Sequence, residues 1–160
     1  MNNRILFSTD DFEYDLEKVC LKSQNESMEF SMELKTDEIY NDYKFKYLGS
    51  LRVKKENFEV LQKTVLSGQN RDSQRALVSI RLFLNGNLYG EYTGMNKFYK
   101  IKISSNTICI WNYYTKSKSK YEIKDSIPKL LFFPYNDKDT LSSGDIFYFD
   151  KKYTDNSCED

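Results

Sequence analysis

The chain contains no histidine, and that absence limits the chemistry its other residues can do. Serine and cysteine triads, histidine ribonucleases and most zinc sites need an imidazole that titrates near neutral pH or ligates metal. What remains is carboxylate, lysine, tyrosine and cysteine chemistry. The template that fits is a metal-dependent nuclease, in which an Asp and a Glu-x-Lys strand hold Mg²⁺ and steady the attacking water. Asp15 with Glu33-Leu34-Lys35 has that pattern, and Glu122-Ile123-Lys124 repeats the triplet. In a chain with 24 acidic residues such triplets arise freely by chance, and they fit solvated strand faces. Asp137-Lys138-Asp139 followed by Ser142-Ser143-Gly144-Asp145 has part of a calcium-loop spacing. It places Leu141 where an oxygen ligand belongs and lacks the final Glu, so it reads as a turn. The six glycines are scattered singly, which leaves no phosphate-cradling loop. The expectation is a non-enzyme without metal or cofactor.

Two clusters suit binding instead. The first is acidic and aromatic: Asp10, Asp11, Glu13, Asp15 and Glu17 interleave with Phe12, Tyr14 and Leu16. If these residues are helical, Phe12 and Leu16 face inward while Glu13 and Glu17 share an outer face near Asp10 and Tyr14. A compact acidic surface with an exposed ring suits docking on a basic protein. The second is basic and aromatic: Lys97, Phe98, Tyr99, Lys100 and Lys102, then Trp111, Tyr113, Tyr114, Lys116, Lys118 and Lys120. On adjacent strands these residues would track a phosphate backbone while rings stack on bases. They equally fit a sheet with half its rings in the core and its lysines in water.

The charge layout sharpens the contrast. Formal charge sums to zero, yet residues 10–42 carry eleven acids and three bases, residues 43–129 carry seventeen bases and six acids, and residues 130–160 carry seven acids and three bases. Such segregation governs encounter with charged partners more than it governs fold.

The elements that must position these clusters follow from hydrophobic period. Phe12, Leu16, Val19 and Cys20 share one helical face over Asp10–Ser23, with Asp10 as cap and Glu13 three residues on. Met28–Lys35 alternates as a half-buried strand and pairs with a second strand, Tyr43–Tyr47, across the loop Thr36–Asp42. Gly49 allows a bulge. Phe58, Leu61 and Val65 fit a helical face over Glu56–Leu66, with Gly68 at the C-cap position. Residues 75–123 read as four or five antiparallel strands. Asn85-Gly86 marks a tight hairpin and further turns fall near Gly94, Ser104 and Thr115. Asp125 or Ser126 with Pro128 opens a short helix through Phe133, and Ile146–Phe149 forms the last strand.

These elements predict a single α+β domain over residues 1–150, dominated by an antiparallel sheet with an N-terminal helix and one or two further short helices. Residues 151–160 form a polar, frayed tail. At 160 residues and 16% aromatic, the chain can bury a sizeable core. No apolar run is long enough to span a bilayer and no signal-peptide segment opens the chain. Three widely spaced cysteines suggest no disulfide framework: Cys20 and Cys109 read as buried thiols, and Cys158 lies in the polar tail. A reducing, cytoplasmic setting is expected.

The size, the missing signal peptide, the Asn/Lys/Tyr-rich composition and the acidic stretch Asp10–Glu17 together resemble the small cytoplasmic immunity proteins that protect bacteria from contact-delivered toxins, many of them nucleases. The likeness is to the whole chain and carries no motif, so it transfers no functional residue. It implies a non-catalytic protein-binding module whose partner is a protein with a basic surface, such as a toxin domain. The acidic cluster itself makes Asp10, Asp11, Glu13, Tyr14, Asp15 and Glu17 the residues expected to engage that partner. A nucleic-acid-binding module using the Lys/aromatic strands ranks second, and a metal-dependent nuclease third.

Overall fold

A computed structural model of the chain describes residues 12–35, 38–95, 99–113, 116–134 and 144–152. One helix, α1 (Phe12–Ser23), precedes ten strands: β1 (Glu29–Lys35), β2 (Tyr40–Val53), β3 (Glu56–Gly68), β4 (Arg75–Leu84), β5 (Asn87–Met95), β6 (Tyr99–Ser104), β7 (Thr107–Asn112), β8 (Lys118–Glu122), β9 (Leu130–Pro134) and β10 (Gly144–Lys151). All strand pairs are antiparallel. Seven strands form one sheet in the order β1-β2-β3-β4-β5-β10-β9, and β6-β7-β8 form a second. The protein is an α+β domain made mostly of antiparallel sheet.

The chain builds three layers because the large sheet is apolar on both faces. On one face Phe45, Tyr47, Leu61 and Phe83 receive Leu16 and Cys20 of α1. On the other, Leu51, Phe58, Val60, Ile80, Leu82 and Tyr92 meet Ile101, Ile103, Ile108 and Ile110 of the small sheet. Strand β2 serves both layers through a bulge. Register slips between Tyr47 and Gly49, and Gly49 takes φ +114°, a conformation that side-chain-bearing residues avoid. Before the bulge the odd positions Phe45 and Tyr47 face the helix. After it, Leu51 and Val53 face the small sheet.

The hairpin at Asn85-Gly86 forms as expected, with both residues at positive φ (53° and 81°). Two expected helices are strands. Glu56–Leu66 lies within β3, a central strand covered on both faces, so its apolar residues need not alternate. The run after Pro128 is the short edge strand β9, and Tyr121 of β8 ties its outer side down. Phe132 N donates to Tyr121 Oη at 2.8 Å, and Oη donates to Phe132 O. The only helix beyond α1 among the described residues is a single 3₁₀ turn, Arg71–Ser73, capped by Asn70. The expected long meander is split: β4 and β5 stay in the large sheet, and β6–β8 leave to form the other.

Candidate binding surfaces

Among the described residues of α1, Glu13 and Glu17 do not form the free outer face expected of them. Phe12, Leu16 and Cys20 are buried as the periodicity requires, and so is Glu17, whose side chain keeps only 8% of its exposure. Its carboxylate pairs with Arg81 on β4, and Arg81 Nε lies 3.4 Å from Glu91 Oε2 on β5. Glu13 pairs with Lys63 on β3. Burial pushes the Glu17 carboxyl up from its ordinary 4.5, against the downward pull of Arg81 and Lys63. Of the four acid-cluster residues described, Tyr14 alone is well exposed, at 56%, and Lys18 Nζ sits over its ring at 3.9 Å. Asp15 is half-buried. Asp10 and Asp11 lie outside the described residues.

The reason is geometric. Glu13 and Glu17 are adjacent to the apolar stripe in the helical wheel, so they sit at the rim where α1 meets the sheet. Lys63, Arg81 and Glu91 occupy the corresponding rim positions of the strands below. Arg81 was the missed signal: one arginine inside the apolar run Ile80, Leu82, Phe83 implies a buried acidic partner.

The basic cluster behaves differently. Strict alternation on β6 sends Ile101 and Ile103 to the core and Lys100 and Lys102 to water. On β7 it sends Ile108 and Ile110 inward, leaving Cys109 half-buried and Trp111 42% exposed on the outer face. Lys118 and Lys120 project likewise from β8. Register then stacks these residues into rows. Lys100 and Lys118 flank Trp111 on either side, and Lys102 and Lys120 flank Cys109. At the normal strand spacing the two lysine rails stand about 10 Å apart, and neighbours within a rail about 7 Å apart. Between them lies a shallow depression of about 420 Å³. Among the described residues none of these four lysines has a carboxylate partner; Glu122, in the next row, pairs with Lys124 at 3.8 Å.

Tyr113, at the end of β7, is 56% exposed, and Lys116 is exposed in the turn beyond it. Tyr99 opens β6. Lys97, Phe98 and Tyr114 lie outside the described residues. Cys109 corrects the expectation of a buried thiol, whereas Cys20 is fully buried and its thiol is pushed up to about 12 by desolvation. Cys158 lies outside the described residues.

Of the acid-x-Lys triplets, one pairs internally, Glu122 with Lys124, and the other has its acid engaged by an arginine. Both oxygens of Glu33 accept from Arg71 Nη2, at 2.8 and 2.9 Å. Asp15 is on α1, not on the strand carrying Glu33. Among the described residues no group of three or more His, Cys, Asp or Glu could hold a metal ion, and no helix is long and apolar enough to cross a membrane. The calcium-loop-like residues 137–143 lie outside the described residues. Comparison with protein-family models, curated proteins and solved structures finds no match to this chain.

Proposed function

We propose that this protein works by binding rather than by chemistry, and that its working surface is the outer face of the β6–β8 sheet, which takes nucleic acid. The observation that carries this reading is the pair of cross-strand rows, Lys100–Trp111–Lys118 and Lys102–Cys109–Lys120, on a face open to water. Four cations that pair with no acid among the described residues leave a positive field that a polyanion relieves. A tryptophan between them, 42% exposed, supplies a flat apolar ring that a base can cover.

Trp111 is the chain's single tryptophan, so its fluorescence reports on this face alone. Titration with mixed-sequence oligonucleotides should change that fluorescence, and raising the salt should reverse the change. Poly-glutamate at equal charge should act far more weakly. Equal responses to both, or none to the oligonucleotides, would remove the nucleic-acid reading.

A second reading keeps one supporting observation. Tyr14 is exposed beside Asp15 at the start of α1. Neutralisation of a cationic protein such as a toxin domain would use that ring as its anchor, with Asp10 and Asp11 as charges. Capture of a basic protein from the native organism by the wild type, lost in Tyr14→Ala/Asp15→Lys and kept in Lys100→Glu/Lys102→Glu, would favour it.

A further inference from the structure

Resting on that reading, we infer that the ligand is single-stranded nucleic acid, bound with a base stacked on Trp111 and its phosphates held by the Lys100/Lys102 and Lys118/Lys120 rails. Three features select the single strand. First, the exposed ring offers stacking, and only unstacked bases can accept it; the bases of a duplex already cover one another. Second, the rails are all lysine. A compact ammonium neutralises phosphate but lacks the planar fork with which arginine reads the base edges of a duplex groove. Third, the lysines stand on both sides of the ring. A strand crossing or following β7 therefore meets a cation wherever its backbone lies, while a rigid duplex would rest on the rails and leave Trp111 idle.

The same features make recognition tolerant of sequence, since every base has a face to stack. They also set its extent. The row beyond Cys109 holds Ser104, Thr107 and the acid Glu122, so the positive field ends there. At the other end it continues past Trp111 to Tyr113 and Lys116, both exposed. The strand is thus expected to leave over Tyr113, which adds a second, weaker contact.

The test is fluorescence anisotropy with dye-labelled oligo(dT) and oligo(rU) of about 16 nucleotides, the upper end of common site sizes, against a blunt duplex of equal length. Both single strands should bind and the duplex at least tenfold more weakly. With four phosphates neutralised, affinity for a single strand should fall about 50-fold between 50 and 200 mM salt. Trp111→Ala should weaken single-strand binding about 10- to 100-fold. Trp111→Phe should restore most of it, and neither should change duplex binding. Trp111 is on the outer face, so both variants are expected to fold, and circular dichroism checks this. Duplex binding equal to or tighter than single-strand binding, or single-strand binding indifferent to Trp111→Ala, overturns the single-strand inference and leaves the nucleic-acid surface standing. No binding to any of the three probes removes both.

Discussion

The charges of α1 and those of the β6–β8 sheet both stand out in the sequence, yet the fold treats them in opposite ways. On the helix, Glu13 and Glu17 are drawn onto cations of the sheet beneath, and among the described residues of the acidic cluster only an exposed ring and a half-buried Asp15 are left unpaired with the sheet. On the small sheet, alternation carries every second residue to water, and among the described residues no acid pairs with Lys100, Lys102, Lys118 or Lys120, while Glu122 in the next row pairs with Lys124. A helix rim touches another layer, so its charges find partners. The outer face of the small sheet meets no other layer among the described residues, so its charges remain available. Surface charge is set by what the neighbouring layer supplies, and a sequence count cannot see that layer.

The hardest way to break this contrast is to remove the partner that turns the helix acids inward. Arg81→Met leaves Glu17 and Glu91 facing each other with most of their water removed, and should cost about 3–5 kcal/mol. Arg81→Met with Glu17→Met should recover much of that loss, because two apolar side chains replace the pair. Urea midpoints of the three variants check it. A loss below about 1 kcal/mol for the single change would mean that this pair is effectively solvated, and the acidic face would regain its claim.

A smaller effect appears with pH. Glu17 holds its proton more tightly in the folded protein than in the unfolded chain, where its ordinary value is 4.5. Across the interval just above 4.5 the folded state therefore binds more protons, and Glu17's contribution to stability falls as pH rises through it. Most paired carboxylates act in the opposite sense. Glu17→Gln, which cannot titrate, should lack this fall, and chemical denaturation at a series of pH values would show the two curves converging toward acid. Parallel curves would mean that Arg81 and burial cancel, and a wild type that gains stability over Glu17→Gln as pH rises would mean that Arg81 outweighs burial.

How legible all this was in sequence depends on solvent. The β6–β8 sheet was readable because one face is wet, and Ile101, Ile103, Ile108 and Ile110 alternate cleanly with polar neighbours. Strand β3 was not, because it is covered on both faces. Phe58 and Val60 serve one core and Leu61 the other, so helical spacing arises without a helix. Strand β9 is a short apolar run between two prolines, which periodicity cannot distinguish from a helical turn. The partner of Glu17 is 64 residues away, at a separation no local pattern spans.

Charge reversal on the helix should sort its acids by a smaller margin. Glu13→Lys sets a cation against Lys63 and should cost about 1 kcal/mol, whereas Asp15→Lys should stay within about 0.5 kcal/mol. Equal effects in thermal unfolding would mean that the Glu13–Lys63 pair contributes nothing to holding α1.

The smallest expected stability effect is also the one that separates two roles for the lysines. Both β6 and β8 are edges of a three-stranded sheet, and lysine on an edge discourages pairing between molecules. Protection of that kind would explain the four residues without any ligand. Replacing Lys100, Lys102, Lys118 and Lys120 together by Gln removes the charge while keeping length and polarity. Each change should move stability by no more than about 0.5 kcal/mol. The sum should be upward, because like charges stand within about one Debye length of each other. Wild-type stability should rise with added salt as that repulsion is screened, and the Gln variant should respond less. If edge protection is the whole role, the variant will self-associate in light scattering and the wild type will bind no oligonucleotide. If binding is the role, oligonucleotide affinity will collapse in the variant while it stays monomeric, since the exposed Trp111 row is too short to template a second sheet without further apolar surface.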